Sequence, residues 1–197
     1  MAFLSLMEVF DIALMSLVVG YIFKDVFRPR VAYTDPDTYL KNVTPGHHDG
    51  RLSDFWFAVV LVAPSIIFHE FGHKFTAMAF GLTATFHADY LWLGIGVLLK
   101  LVLPGFVFFV PAYVSFPGTA TPLQSSAIAF AGPAVNGLFW LGSWLFLKFK
   151  KKGVGKETVR YLAFFRYING FLFILNMLPV PGFDGFTVYL GLWHAFF

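Results

Sequence analysis

Phe68-His69-Glu70-Phe71-Gly72-His73 lies inside a long apolar stretch, and its reading decides how the rest of the chain is understood. On a helix, His69 and His73 stand on one face, one turn apart. That spacing lets two imidazoles reach one zinc ion, and Glu70, beside the first, can act as general base on a water held there. The flanks, Phe55 to Ile67 and Phe75 to Leu82, are apolar apart from Ser65 and Thr76. An ionised group at the centre of a membrane costs about 2.5–3.5 kcal/mol on insertion scales. A helix that keeps an acid and two histidines at depth therefore keeps them for a function. The competing reading of the stretch on its own is an accidental polar patch lining a helix bundle.

Composition sets the setting of that helix. Of 197 residues, 58% are hydrophobic and only 13% charged, with a mean hydropathy of +0.71. Soluble chains carry nearer ~25% charge. Apolar runs long enough to cross about 30 Å of hydrocarbon recur, which predicts an all-α polytopic (multi-pass) integral membrane protein. The aromatic share of 20% suits lipid-facing surfaces and interfacial belts. A net charge of +3 gives no argument for nucleic acid as a partner. With no cysteine, disulfides and thiolate ligands are excluded, and any zinc must be held by His, Asp or Glu.

Taken in order, Ala2 to Phe23 reads as a first span, retained and not a signal peptide, with Glu8 and Asp11 on one helical face near the membrane surface or inside the bundle. A polar connection with three prolines follows; its His47-His48-Asp49 cluster reads as solvated, not as a metal site. Asp54 to Gly81 is the second span, with Asp54 as the expected N-cap, Gly81 as the expected stop and Pro64 as a bend. Gly72 leaves room for another backbone or an extended peptide. The segment from 82 to 121 reads as a re-entrant hairpin or kinked span near 90–117, broken at Pro104-Gly105. Pro122 to Phe149 and Glu157 to Leu178 are further spans. The basic turn at Lys148 to Lys152 between them reads as a solvated, headgroup-facing loop. The last span runs into Asn176-Met177-Leu178-Pro179-Val180-Pro181-Gly182-Phe183-Asp184-Gly185, where the prolines end regular helix. Phe186 to Phe197 is too short to cross alone. The expected architecture is a bundle of about four to six transmembrane helices with a broken helix at 176–185. It forms a single membrane-embedded domain over 1–197 with a core at 54–190 and no appended soluble domain.

A catalytic zinc usually takes three protein ligands and a water, so two histidines leave one position to fill. Asp184 is the strongest candidate, because the Pro-Pro break lets the chain aim a carboxylate sideways. His87 and Asp89 follow the second span too closely and read as interfacial, and His194 is weaker still. His69-Glu70-Phe71-Gly72-His73 together with Asn176 to Gly185 resembles the site-2 protease family of intramembrane zinc metalloproteases. Gly132-Pro133-Ala134-Val135-Asn136 resembles that family's Gly-Pro-x-x-Asn element. The resemblance covers about residues 54 to 190. It implies one zinc ion held by His69, His73 and Asp184, with Glu70 as catalytic base and Asn136 and Asn176 positioning the substrate strand or steadying the oxyanion. The implied reaction is hydrolysis of peptide bonds in transmembrane substrates within the lipid bilayer. Phe183 departs from the family's usual leucine, one apolar side chain for another.

Depth constrains the topology. Eight to twelve residues separate Gly81 from the two histidines, which places the metal about 12–18 Å from that face. For Asp184 to reach the same depth, the segment from 82 to 121 must return to the face it entered from. On that topology the positive-inside rule puts the basic loops at 24–53 and 148–156 on the side opposite to the one the family expects. Two other readings use the same residues: a non-proteolytic membrane metal-binding or transport protein, and an inactive homologue acting as a binding module. Transport would call for more ionisable groups along a path than Glu8, Asp11, Lys100, Arg160 and Arg166 provide.

Overall fold

The computed structural model describes residues 4–26, 49–103, 112–116, 120–149 and 153–197. The expectations for His47-His48, Pro104-Gly105 and Lys150 to Lys152 fall outside these residues. The elements are α1 (Leu6–Phe23), α2 (Asp49–Ala79), β1 (Thr85–Ala88), α3 (Tyr90–Val102), β2 (Ala112–Ser115), α4 (Pro122–Phe149), α5 (Lys156–Asn176) and α6 (Asp184–Phe196). The fold is mainly helical, consistent with the all-α membrane class that the composition predicts, and it carries one short strand pair in addition. β1 and β2 form an antiparallel pair, with Thr85 opposite Ser115 and Ala88 opposite Ala112.

Three helices are long and apolar enough to cross a membrane: Leu6–Phe23, Asp54–Ala79 and Pro122–Phe149. The expected span at 157–178 is present as the helix α5, but it is not among the three. Lys156, Glu157, Arg160, Arg166 and Asn169 dilute its apolar face. Among the described residues the count is thus below the expected four to six.

α1 opens with a capping box in which Ser5 and Glu8 satisfy each other's backbone N–H groups. The second helix begins at Asp49, one turn earlier than expected, because no proline interrupts the residues before Asp54. Its other end behaves as read. Gly81 takes φ +79°, Leu82 donates to the Ala77 carbonyl at 3.1 Å, and Gly81 donates to that of Met78 at 2.9 Å. These two bonds and the left-handed glycine form a Schellman cap. Pro64 leaves the Val60 carbonyl without its helical donor, and the Tyr161 hydroxyl of α5 supplies one at 3.0 Å.

Contacts fix the direction of each helix. Lys74 of α2 meets Glu8, and a Cβ at Gly20 would touch Val59, so α1 and α2 are antiparallel. His73 meets Ile128 while Ser65 meets Asn136, so α4 runs antiparallel to α2. Tyr161 meets Val60 and Asn169 meets Ser65, so α5 runs parallel to α2. Ser126 donates to the Val188 carbonyl at 2.5 Å, and a Cβ at Gly191 would lie 2.5 Å from the Pro122 carbonyl oxygen, so α6 runs back along α4. Tyr90 meets Asp11 and Lys100 meets Ile22 and Asp25, so α3 lies parallel to α1. Met15, Val19, Leu61, Val62, Ile66, Phe86 and Leu93 form the core between α1, α2, β1 and α3.

Candidate metal centre

Gly72 and Gly132 let α2 and α4 approach until their backbones touch. A Cβ on Gly72 would sit 2.6 Å from the Ala131 carbonyl oxygen. The room that Gly72 leaves is therefore taken by a neighbouring helix. A Cβ on Gly132 would lie 2.3 Å from His73 Nε2 and 2.8 Å from His69 Nε2, so the glycine of the Gly-Pro-x-x-Asn element forms the floor beneath both imidazoles. Asp184 reaches them as the first residue of α6. Gly185 behind it allows the turn from α5 to close, since a Cβ there would lie 2.5 Å from the Met177 backbone.

Asp184 Oδ2 lies 3.1 Å from His69 Nε2, and its Oδ1 lies 3.4 Å from His73 Nε2. The two Nε2 atoms are 3.1 Å apart. Among the described residues, His69, His73 and Asp184 form a set whose ligand atoms all fall within 4.8 Å of one another. The side of each ring facing away from Asp184 decides its protonation. His73 Nδ1 lies 2.7 Å from the Ile128 carbonyl oxygen, which can only accept, so this nitrogen carries the hydrogen. His69 Nδ1 lies 2.6 Å from Asn136 Oδ1. The Asn136 amide is oriented by its other end, because Nδ2 donates to the Ser65 carbonyl at 3.0 Å and to Asn169 Oδ1 at 2.9 Å. His69 Nδ1 is therefore a donor as well. Neutral imidazoles held this way leave both Nε2 lone pairs facing each other and a carboxylate. Two Nε2 lone pairs and a carboxylate converging on one point are a donor set that fits a divalent metal.

The cluster opens into a cavity of about 330 Å³ that Glu70, Asn176 and Thr187 also line. β2 borders it through Ala112, Tyr113 and Val114, and Phe116 just beyond the strand lines it too. No lysine or arginine is among the described lining residues, so a dication there would face Glu70 and Asp184 without a competing side-chain cation.

The sequence-derived site residues separate into two groups. His69, Glu70, His73, Asp184 and Asn176 are brought to one cavity. Asn136 is fully buried behind His69, where its amide oxygen accepts from the ring, and it is not among the residues that line the cavity. Sequence reasoning missed Ser65 and Asn169, which complete that network: Asn169 Nδ2 donates to Ser65 Oγ at 2.9 Å. Both are polar residues inside apolar helical runs, which was the available signal. The discarded candidates stay away. His87 meets Ser115 at 3.0 Å, Asp89 caps α3 by accepting from Trp92, and His194 lies in the exposed last turn of α6.

A comparison with family models gives no match, and no solved structure matches. Curated relatives do match. "Putative zinc metalloprotease MJ0611" of Methanocaldococcus jannaschii is 35% identical over 132 residues, 66% of this chain and 68% of the relative. "Putative zinc metalloprotease Rip2" of Mycolicibacterium smegmatis is 31% identical over 137 residues, 62% of this chain and 51% of the relative. The Rip2 protein of Mycobacterium tuberculosis is 31% identical over 138 residues, with 62% and 52% covered. The chain spans about half the length of the Rip2 proteins. At 35% identity across more than two thirds of the archaeal relative, and with the His69, His73 and Asp184 cluster assembled, the chain belongs to the site-2 protease family.

Proposed function

We infer that the chain is a zinc metalloprotease that hydrolyses peptide bonds of membrane-spanning substrates inside the bilayer. The carrying observation is the convergence of two imidazole lone pairs and the Asp184 carboxylate, each ring locked from behind by a carbonyl acceptor. His69, His73 and Asp184 hold one zinc ion. When bound, zinc supplies Lewis acidity toward a water molecule and the scissile carbonyl. Glu70, on the helical turn between the histidines and lining the same cavity, takes the proton from the attacking water and delivers it to the leaving amine. Asn176, at the end of α5 and on the cavity wall, is suited to hold the substrate backbone. The apolar spans support a membrane setting.

β2 supports an extended substrate. Phe86 and Ala88 of β1 turn their N–H groups toward α1. By the alternation of an antiparallel pair, Thr85 and His87 are then the residues bonded to β2, through Ser115 and Tyr113. Ala112 and Val114 therefore present their backbone polar groups on the opposite edge, and both border the cavity. A substrate helix unwound at its scissile bond can pair there as a further strand. The same pairing supports the re-entrant reading of 82–121, since Thr85 near its start stands opposite Ser115 near its end.

Glu70→Gln tests this function. The variant should keep stoichiometric zinc while its cleavage of a membrane-spanning peptide in detergent falls by a factor of at least ~10³. A variant that cleaves at the wild-type rate overturns the proposal.

A further inference from the structure

Two acids near the start of α1 have no part in the proposed chemistry, yet they are buried with 4% and 2% of their surface exposed. Glu8 accepts from the Phe86 N–H at 2.8 Å and is in contact with the Lys74 ammonium, itself 2% exposed. Asp11 accepts from the Ala88 N–H at 3.2 Å and from the Tyr90 hydroxyl. The two carboxylates stand three residues apart on one helical face and take alternate N–H groups of one strand edge. Without them the outer edge of β1 would lie against an apolar helix with its donors unmet.

We propose that Glu8 and Asp11 are positioning residues: they hold the outer edge of β1 and so set the free edge of β2 beside the metal-ligand cluster, with Lys74 tying the same brace to the metal helix. The proposal rests on the reading of β2 as the edge that receives substrate. Lys74 directly follows His73, so Glu8 joins three things through one carboxylate: its own capping box, the strand, and the helix that carries the ligands. Neutral amides would satisfy the strand equally well. A buried ion pair adds little stability over apolar packing, and what it supplies here is a fixed register between strand and helix. Glu8 and Asp11 both supply acceptors along the outer edge of β1, so this brace sets how far β2 stands from Glu70.

The test uses the full-length, zinc-loaded protein in detergent. Asp11→Ala, Asp11→Asn and the double variant Glu8→Gln/Lys74→Met are compared with wild type; the double variant avoids leaving a buried ammonium alone. Measured are zinc content, kcat and KM on a membrane-spanning peptide, and amide hydrogen exchange at 85–88 and 112–116. For Asp11→Ala and the double variant the expected result is unchanged zinc, exchange in both strands at least about tenfold faster, KM raised about five- to tenfold, and kcat within about twofold. Asp11→Asn, which keeps an oxygen for the Ala88 N–H, should recover most of the KM lost in Asp11→Ala. Wild-type exchange and KM in all three variants would overturn the proposal, as would loss of zinc or a fall in kcat with KM unmoved. The strand reading has its own control. Saturating peptide on the Glu70→Gln protein should protect 112–116, and an unprotected β2 beside loosened brace variants overturns the role in substrate placement while leaving the brace itself observed.

Discussion

His69 and His73 are held by different acceptors, one a side-chain amide and the other a backbone carbonyl, and the difference governs how each fails. Truncating Asn136 to Ala frees the His69 ring and removes the donor that the Ser65 carbonyl and Asn169 Oδ1 share. Zinc affinity should fall about 10–100-fold, read by chelator competition, as for other residues that orient a ligand ring. Gly132→Ala acts more directly, because the added methyl carbon would stand 2.3 Å from His73 Nε2. Neither imidazole can retreat without giving up its acceptor. The variant should lose zinc by more than about tenfold while keeping its helical content by circular dichroism. If Gly132→Ala binds zinc like wild type, the two nitrogens do not face the same ion. Glu70, His69 and His73 were legible in the sequence because a four-residue spacing on a helix needs no tertiary information. The role of Asn136 was not, since its amide direction is set by Ser65 on another helix and Asn169 on a third.

Between elements, the same limit explains the missed sheet. Thr85-Phe86-His87-Ala88 and Ala112-Tyr113-Val114-Ser115 both alternate polar and apolar sides loosely, but four residues cannot outvote the apolar run around them. What makes them strands is pairing between residues 24 to 30 apart in sequence and two acids on α1, none of which is local. The helices were legible to within a turn, and Gly81 closes α2 as its sequence position predicts. Proline positions were legible too, whereas the compensation for them was not. Pro64 strands the Val60 carbonyl, and Tyr161 on α5 answers it. Tyr161→Phe should therefore lower stability by about 1 kcal/mol in thermal unfolding, with zinc content and kcat unchanged, because the bond joins α2 to α5 a full turn or more from the ligands. Activity lost in that variant at wild-type stability would mean that α5 reaches the site by another route.

At the scale of the molecule, directions of chain decide whether one cavity can receive both histidines and Asp184. α2 descends to the end marked by Gly81, α4 climbs from that end, α5 returns, and α6 leaves toward it from Asp184. The segment from 82 to 121 has to begin and end at the same level for this order to hold. α3 runs beside α1 from Asp11 to Ile22, most of the length of that helix, while β2 comes back to pair with β1. In a membrane, residues on either side of this segment should thus face one compartment, and the α4–α5 turn the other. The chain has no cysteine, so single substitutions report without background. Thr83→Cys and Ala120→Cys, in sealed vesicles, should react with a membrane-impermeant maleimide from the same side. Gly155→Cys, where an added Cβ meets nothing within 4 Å, should react only from the opposite side. Labelling of positions 83 and 120 from opposite sides would make 82–121 a full crossing. Asp184 would then approach from the wrong face, and the observed distances of 3.1 and 3.4 Å to the histidines could not belong to the inserted protein.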